Sequence, residues 1–483
     1  MPESDNVFLT LSASFADHPE RCCLRCPGAA DWSYAQIDTL SGRMASALLQ
    51  RARPGDRVLV QTQKSPEGVA LYLACLRAGL VLVPLNTAYT DAELAYFRED
   101  AQPALEVNDA ALQQLCLEAC HYDCAETAQV SGDAVAAILY TSGTTGKPKG
   151  AMLSHGNLAS NAVSLHTLWR FEKGDVLLHA LPIFHVHGLF VALNTAFING
   201  STILFLPAFS VEAVLQALPE ASVMMGVPTF YTRLLASDAF SASHYAHMRL
   251  FISGSAPLTE QTFTSFERRT GHRILERYGM SETGMISSNP VTGDRLPGSV
   301  GFALPDVQIR ISDQEGATLP PGEIGLVEVT GPNVFQGYWR KPDKTRAEFR
   351  QDGFFITGDL GYLGDDGRLT LVGREKDLII SGGLNIYPKE VEQCLDTLPG
   401  IEESAVIGVP HSDFGEAIIA VCVSDDVLDQ NALNDAIASR LARFKHPRAY
   451  IQQDALPRNT MGKVQKSALR ERYRDWFLDG NAV

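Results

Sequence analysis

One run of eleven residues, Tyr140-Thr-Ser-Gly-Thr-Thr-Gly-Lys-Pro-Lys-Gly150, constrains the chain more than any other stretch. Its three glycines let the backbone bend back on itself and present N–H groups. Three Thr and one Ser add hydroxyl donors, and Lys147 and Lys149 add positive charge. A polyphosphate is the natural guest of such a loop. Ala134 to Tyr140 is an apolar run of strand length, and Gly150 to His155 resumes apolar character, so the motif is predicted on a strand–loop–strand. The spacing is not that of the Walker loop. No Gly stands five residues before the Gly146-Lys147 pair, and Pro148 occupies the place of the expected Ser or Thr.

At 483 residues the chain is long for one core and calls for two or more domains. Hydrophobic residues at 45% and charged residues at 20% describe a globular protein. A net charge of −16 argues against nucleic acid, whose phosphates would be repelled. The N-terminus has no basic, then apolar, leader, and no apolar run reaches the about 18 residues of a membrane span, so a cytoplasmic location is expected without membrane contact. Nine cysteines are expected as reduced thiols. Cys22, Cys23 and Cys26, or Cys116, Cys120, His121 and Cys124, could share a zinc ion, but neither set has a second ligand pair at the separation of zinc modules.

Along the chain, strands alternate with helices, which implies α/β layering with largely parallel strands. Asp91 begins a helix with Thr90 as N-cap and Glu93 at its third position. Asp100 to Ser131 is weakly patterned and shows no clean strand. Asp175 to Gly188 reads as a strand, a loop with His185 and His187, and then an apolar helix. Ser222 to Leu235 reads as a buried strand, a turn and a helix carrying Arg233 between Tyr231 and Leu234. An unpaired guanidinium in apolar surroundings is costly, so Arg233 either pairs with a protein carboxylate, grips a substrate carboxylate, or lies on a solvated face. Leu250 to Leu258 is a strand ending in a Gly/Ser turn at its carboxyl end, where open α/β sheets place ligands.

The phosphate loop resembles the signature of the adenylate-forming superfamily, which comprises acyl-CoA synthetases, carrier-loading adenylation domains and luciferases. Further motifs follow in that superfamily's order over essentially the whole chain: Glu276-Arg-Tyr-Gly-Met-Ser-Glu282, Thr357-Gly-Asp359, Gly373-Arg374, Glu375-Lys-Asp377 and Pro457-Arg-Asn-Thr-Met-Gly-Lys463. Within it, Asn86 to Thr90, His179 to Gly188 and Gly226 to Arg233 look most like bacterial malonyl-CoA synthetases. The resemblance implies a large N-terminal AMP-binding and acyl-substrate domain of layered, mostly parallel sheets and helices over residues 1–375. A small mobile α+β C-terminal domain over 376–483 would follow, hinged at Lys376.

It also implies the site. Thr141, Ser142, Gly143, Thr144, Thr145, Gly146, Lys147, Gly254, Ser255, Arg277, Tyr278, Gly279, Met280, Ser281, Asp359, Arg374 and Lys463 would bind ATP. Thr145 and Glu282 would hold Mg2+. Tyr278 would stack on adenine, and Asp359 would accept from the ribose hydroxyls. His185, Arg233 and Ser255 would hold the acid, and Ser381, Gly382 and Gly383 would line the approach of coenzyme A. Lys463, Glu282 and His185 form the expected catalytic set. The implied reaction joins malonate to CoA through an acyl-adenylate, with release of AMP and pyrophosphate. Methylmalonate or another short acid, a carrier protein in place of CoA, and a nucleotide-binding protein without catalysis are the alternatives. A lysine acetyltransferase acting on Lys463 is a conceivable further partner, since that lysine sits in a Gly-flanked loop.

Overall fold

The two arms of the phosphate-loop run form strands, Val135–Thr141 and Lys149–Ser154, paired antiparallel as their apolar character requires. The computed structural model describes residues 4–141, 148–411, 413–424, 427–438, 440–459 and 462–477. Ser142, Gly143, Thr144, Thr145, Gly146 and Lys147, between the two arms, lie outside the described residues. The pair closes one side of a five-stranded sheet whose order continues through Val81–Pro84 and Arg57–Gln61 to Leu105–Asn108. That last strand lies in the stretch where the sequence shows no clean strand. It is a four-residue edge strand with only Val107 buried, too short an alternation to register. The helix Asp109–Ala119 follows it, capped by the Asn108 side chain. The Thr90 capping box is present as expected, with Glu93 returning the bond.

A thirteen-stranded sheet forms the second layer. Its strands Thr202–Phe205, Val176–His179, Val223–Gly226, Leu250–Ser253 and Leu275–Met280 run parallel, joined by crossover helices such as Pro228–Leu235 and Glu260–Thr270. From Met280 onward the sheet turns antiparallel through Gly284–Ser288, Ser299–Ala303, Leu369–Arg374, Phe355–Leu363, Gly325–Thr330 and Gln308–Ser312. The turn from Met280 to Gly284 is too short for a crossover helix, so a hairpin is the only way back.

A third sheet is built only from residues beyond Lys376: Ile379–Ser381, Leu384–Ile386, Glu403–His411, Gly415–Val423 and Ala449–Gln453. It has its own core, with Val391, Leu395, Val406, Ile418 and Ile437 buried together. Its helix Gln430–Ala438 is followed by Ala442 in extended conformation and a 3-10 turn at Arg443–Lys445. Lys389 Nζ of this region donates to the Leu371 carbonyl of the large sheet at 2.7 Å. Among the described residues no helix is long and apolar enough to cross a membrane. None of their His, Cys, Asp and Glu clusters in groups of three or more could hold a metal ion. Cys23 and Cys26 are instead packed into the main core.

The short helix Pro228–Leu235 corrects one expectation. Tyr231 and Leu234, three apart, share its buried face, while Arg233 is turned outward and exposed. Its guanidinium carbon lies 6.0 Å from the centroid of the Phe209 ring. The apolar surroundings inferred from the neighbours of Arg233 in sequence therefore belong to Tyr231 and Leu234. Leu234→Ala should cost about 2–5 kcal/mol of stability, and Arg233→Ala less than about 1 kcal/mol. Urea midpoints of the two variants, compared with the parent, check this ordering.

Candidate active site

Adjacent residues of a strand face opposite sides, and strand Leu275–Met280 uses this to serve two clusters. Tyr278 points to one. Its hydroxyl donates to Asp359 Oδ2 at 2.5 Å, and Arg374 Nε meets Asp359 Oδ1 at 2.6 Å. Asp359 and Arg374 are register partners on neighbouring strands, which brings the two side chains together. Burial, reinforced by Asp359, pushes the Tyr278 phenol well above its ordinary pKa, so it stays a donor. Asp359 raises the pKa of Arg374 in turn. Three residues expected to act separately on adenine, ribose and phosphate form one bonded unit. Each carboxylate oxygen of Asp359 retains lone-pair capacity for a further donor.

Glu282 closes this cluster. It is buried, and Tyr338 Oη lies 3.0 Å and Thr141 Oγ1 3.4 Å from its Oε1. Tyr338 Oη also lies 2.6 Å from Glu348 Oε2, so one hydroxyl proton stands between two carboxylates. Burial opposes ionisation of Glu348, yet donors from Lys344, Tyr338 and Lys149 hold it below the usual carboxylate range. Burial raises Glu282, against weaker opposing hydrogen bonds. The two carboxyls sharing the Tyr338 hydroxyl are thus shifted in opposite directions, Glu282 up and Glu348 down. A buried carboxylate beside a threonine hydroxyl is an all-oxygen donor set and fits a hard cation such as Mg2+. Thr145, the other expected metal ligand, lies outside the described residues.

On the opposite face of the strand stands Arg277, 3% exposed, with Nε and Nη2 lacking any hydrogen-bond partner. Its guanidinium presses on Gly254, where a Cβ would come within 2.4 Å of Arg277 Cζ, so only glycine admits it. Ser255, in the left-handed region at φ 70°, turns its Oγ to within 3.2 Å of His187 Nδ1. His187 is wholly buried and its Nε2 also lacks a partner. The His187 N–H donates to His185 Nδ1 at 3.3 Å. Burial pushes His185 down to about 4, and Arg277 adds to the effect. Burial likewise holds His187 well below the ordinary value, helped by Arg277, His185 and His179. Burial pushes Arg277 to about 9, which leaves it charged at neutral pH.

This cluster brings Ser255, His185 and His187 together with Arg277, which the resemblance implies on ATP, while Arg233 is exposed on the helix Pro228–Leu235. The available signal for His187 was its position at the start of a wholly apolar helical segment, His187–Leu193, whose residues are all buried. Gly279, Met280 and Ser281 follow on the strand and its turn, half-buried, between Tyr278 and Glu282.

The remaining expected residues come from beyond the large sheet. The Lys463 N–H donates to Asn459 Oδ1 at 2.9 Å, and a Cβ on neighbouring Gly462 would lie 2.9 Å from Thr229 Oγ1. Loss of solvent, then Arg374 and Lys376, lower the Lys463 pKa, while Asp359 and Asp377 oppose them, although part of the side chain still meets water. Lys463 is exposed, and the charges of Arg374, Asp359, Lys376 and Asp377 act on it. Lys376 is exposed in the 3-10 turn Glu375–Asp377. Ser381, Gly382 and Gly383 form a hairpin tip, the glycines exposed at φ 57° and 80°, with the Gly382 N–H donating to Phe414 O at 2.9 Å.

Residues 11–339 match the AMP-binding enzyme family and residues 390–463 the AMP-binding enzyme C-terminal domain. The structure is similar to ATP-bound MatB from Rhodopseudomonas palustris, at 48% identity and a TM-score of 0.95, over 98% of this chain and 100% of that one. With apo MatB from the same organism the coverage is the same, the identity 49% and the TM-score 0.83. A malonate–CoA ligase of Arabidopsis thaliana is 30% identical over 97% of this chain and 89% of its own length. If Glu282 holds Mg2+, a proton and the cation compete for its raised carboxyl, and the Mg2+ concentration giving half-maximal activity should increase as pH is lowered. Glu282→Gln should abolish that slope, as Mg2+ titrations at a series of pH values will read.

Proposed function

Since the chain belongs to the AMP-binding enzyme family, we propose that it is an ATP-dependent acid–CoA ligase whose acid is malonate. The observation that carries the choice of acid is the buried, unpartnered fork of Arg277 beside the unpartnered Nε2 of His187. A guanidinium in apolar surroundings without a counter-ion costs several kcal/mol. A second carboxylate on the substrate supplies that counter-ion in the two-pronged geometry a guanidinium favours. The malonate-named relative agrees with this reading. Acetate, which lacks the distal group, would leave the fork unpaired and be rejected far more strongly than by a missing methylene.

The chemistry then runs in two steps. With the distal carboxylate held by Arg277, His187 and Ser255, the proximal one attacks the α-phosphate of ATP and expels pyrophosphate. Lys463, brought to the Asp359–Arg374 cluster, neutralises charge growing on the phosphorus oxygens and the attacking carboxylate. Asp359, fixed by Tyr278 and Arg374, accepts from ribose. Glu282 and the Thr141 hydroxyl beside it would hold Mg2+, which would supply positive charge against the phosphates. For the second step the region beyond Lys376 turns about that residue, withdraws Lys463 and presents the Ser381-Gly382-Gly383 tip to the incoming CoA thiol, which attacks the acyl-adenylate and releases AMP. The higher similarity to the ATP-bound than to the apo MatB structure supports reading the present orientation as that of the first step. Acetylation of Lys463, which is exposed, would remove its charge. We place the enzyme in the cytoplasm, where its free cysteines stay reduced.

AMP release should require malonate and CoA together, with methylmalonate, succinate, acetate and benzoate trailing. Arg277→Lys should lower kcat/KM for malonate by about 3–5 kcal/mol of transition-state binding with the KM for ATP little changed, while Arg233→Ala leaves malonate kinetics intact. Lys463→Ala should abolish malonate-dependent ATP–pyrophosphate exchange yet still convert supplied malonyl-adenylate to malonyl-CoA. Equal loss of both half-reactions would remove the assigned division of labour.

A further inference from the structure

Lys64 follows the strand Arg57–Gln61 and stands just before the helix Pro66–Arg77, whose N-cap is Ser65. It is half-buried, without a carboxylate within ion-pair distance among the described residues. Its Nζ meets three acceptors: His179 Nδ1 at 2.8 Å, His179 O at 2.8 Å and Leu206 O at 2.6 Å. The same Nζ sits 4.4 Å from the centroid of the Phe205 ring. Two of the three partners are carbonyl oxygens, which can only accept. An ammonium has three hydrogens for three acceptors, so it satisfies all of them at once. A neutral amine would have to accept from His179 Nδ1–H, and the other ring nitrogen would then face a carbonyl with no hydrogen between them.

That other nitrogen, His179 Nε2, lies 2.9 Å from Gly188 O. With Nδ1 fixed as acceptor by Lys64, Nε2 carries the hydrogen and donates to Gly188. The imidazole is thereby locked in one tautomer and one orientation. Gly188 is the residue after His187, and a Cβ on it would come within 2.1 Å of Pro182 O, so the segment from Pro182 to Gly188 is folded tightly on itself. His185 and His187 are carried on that segment, tied to each other and, through the Leu189 N–H, to His185 O at 3.0 Å. A chain of hydrogen bonds thus runs from Lys64 through His179 to the backbone that aims the two imidazoles beside Arg277.

We propose that Lys64 is a positioning residue for the acid site: by fixing the tautomer of His179 it pins the Gly188 carbonyl and so sets where His187 and His185 meet the substrate carboxylate. It does not touch the acid itself. The proposal rests on the reading of the Arg277 cluster as the acid pocket, and it adds a specificity element in a different part of the sequence, over a hundred residues upstream.

The test is steady-state kinetics on the full chain with whichever acid of the panel the parent uses best, so a failed malonate assignment leaves it readable. Lys64→Met should raise the KM for that acid at least tenfold with the KM for ATP within twofold. His179→Phe should do the same, and the double variant should be no worse than either single one, because both break one chain of bonds. Lys64→Gln, which keeps donors, should fall between parent and Lys64→Met, and it carries the test if the methionine variant does not fold. An unchanged KM for the acid, multiplicative losses in the double variant, or parallel losses for ATP and acid would each overturn the proposal. A parent enzyme that prefers monocarboxylates would instead overturn the malonate reading.

Discussion

The candidate site is built around a buried guanidinium, Arg277, with no counter-ion among the described residues. Arg277 reaches its position because Gly254 leaves room for it and because the strand beneath it turns its side chain away from the nucleotide side. The protein surrounds it with neutral imidazoles and a serine rather than with a carboxylate, so the cluster is electrostatically incomplete until an anion arrives. A pocket arranged in this way selects by charge more than by shape. The stability it forgoes is tolerable because the cluster sits against extensive buried cores on both faces of the large sheet.

The same strand couples the two halves of the first reaction. One residue after Arg277, Tyr278 binds Asp359, and four residues further Glu282 provides the buried carboxyl suited to a hard cation. A shift along that strand would disturb the acid site, the ribose site and the metal site together. The bulge between Tyr278 and Gly279, where the pairing with Gly284–Ser288 changes register, sets the offset between them.

Around Asp359 the charges gather as if for a polyphosphate. Arg374, Lys376 and Lys463 influence one another there, and the lysine loses basicity through loss of solvent and through its cationic neighbours. Lys463 arrives on a loop of the third sheet's region, which has its own core and reaches the large sheet through such side-chain contacts as Lys389 with the Leu371 carbonyl. Contacts of this kind hold one orientation without welding the two regions together, which is what alternating half-reactions require.

Much of the fold was legible in the sequence because its signals are local. The strands flanking the phosphate loop, the Thr90 capping box and the helix after Pro228 each follow from periodicity, caps or turn residues within a few positions. Motif order also singled out Tyr278, Asp359 and Arg374, which the structure bonds to one another. Leu105–Asn108 escaped because a four-residue edge strand with one buried side chain carries almost no pattern. The inward turn of Arg277, the burial of His187 and the link from Lys64 to His179 were decided only in three dimensions. Sequence neighbours report what lies along the chain, whereas whether a guanidinium points inward, and which donor lies across from it, depends on how an eight-residue helix is rotated and which strands stand side by side.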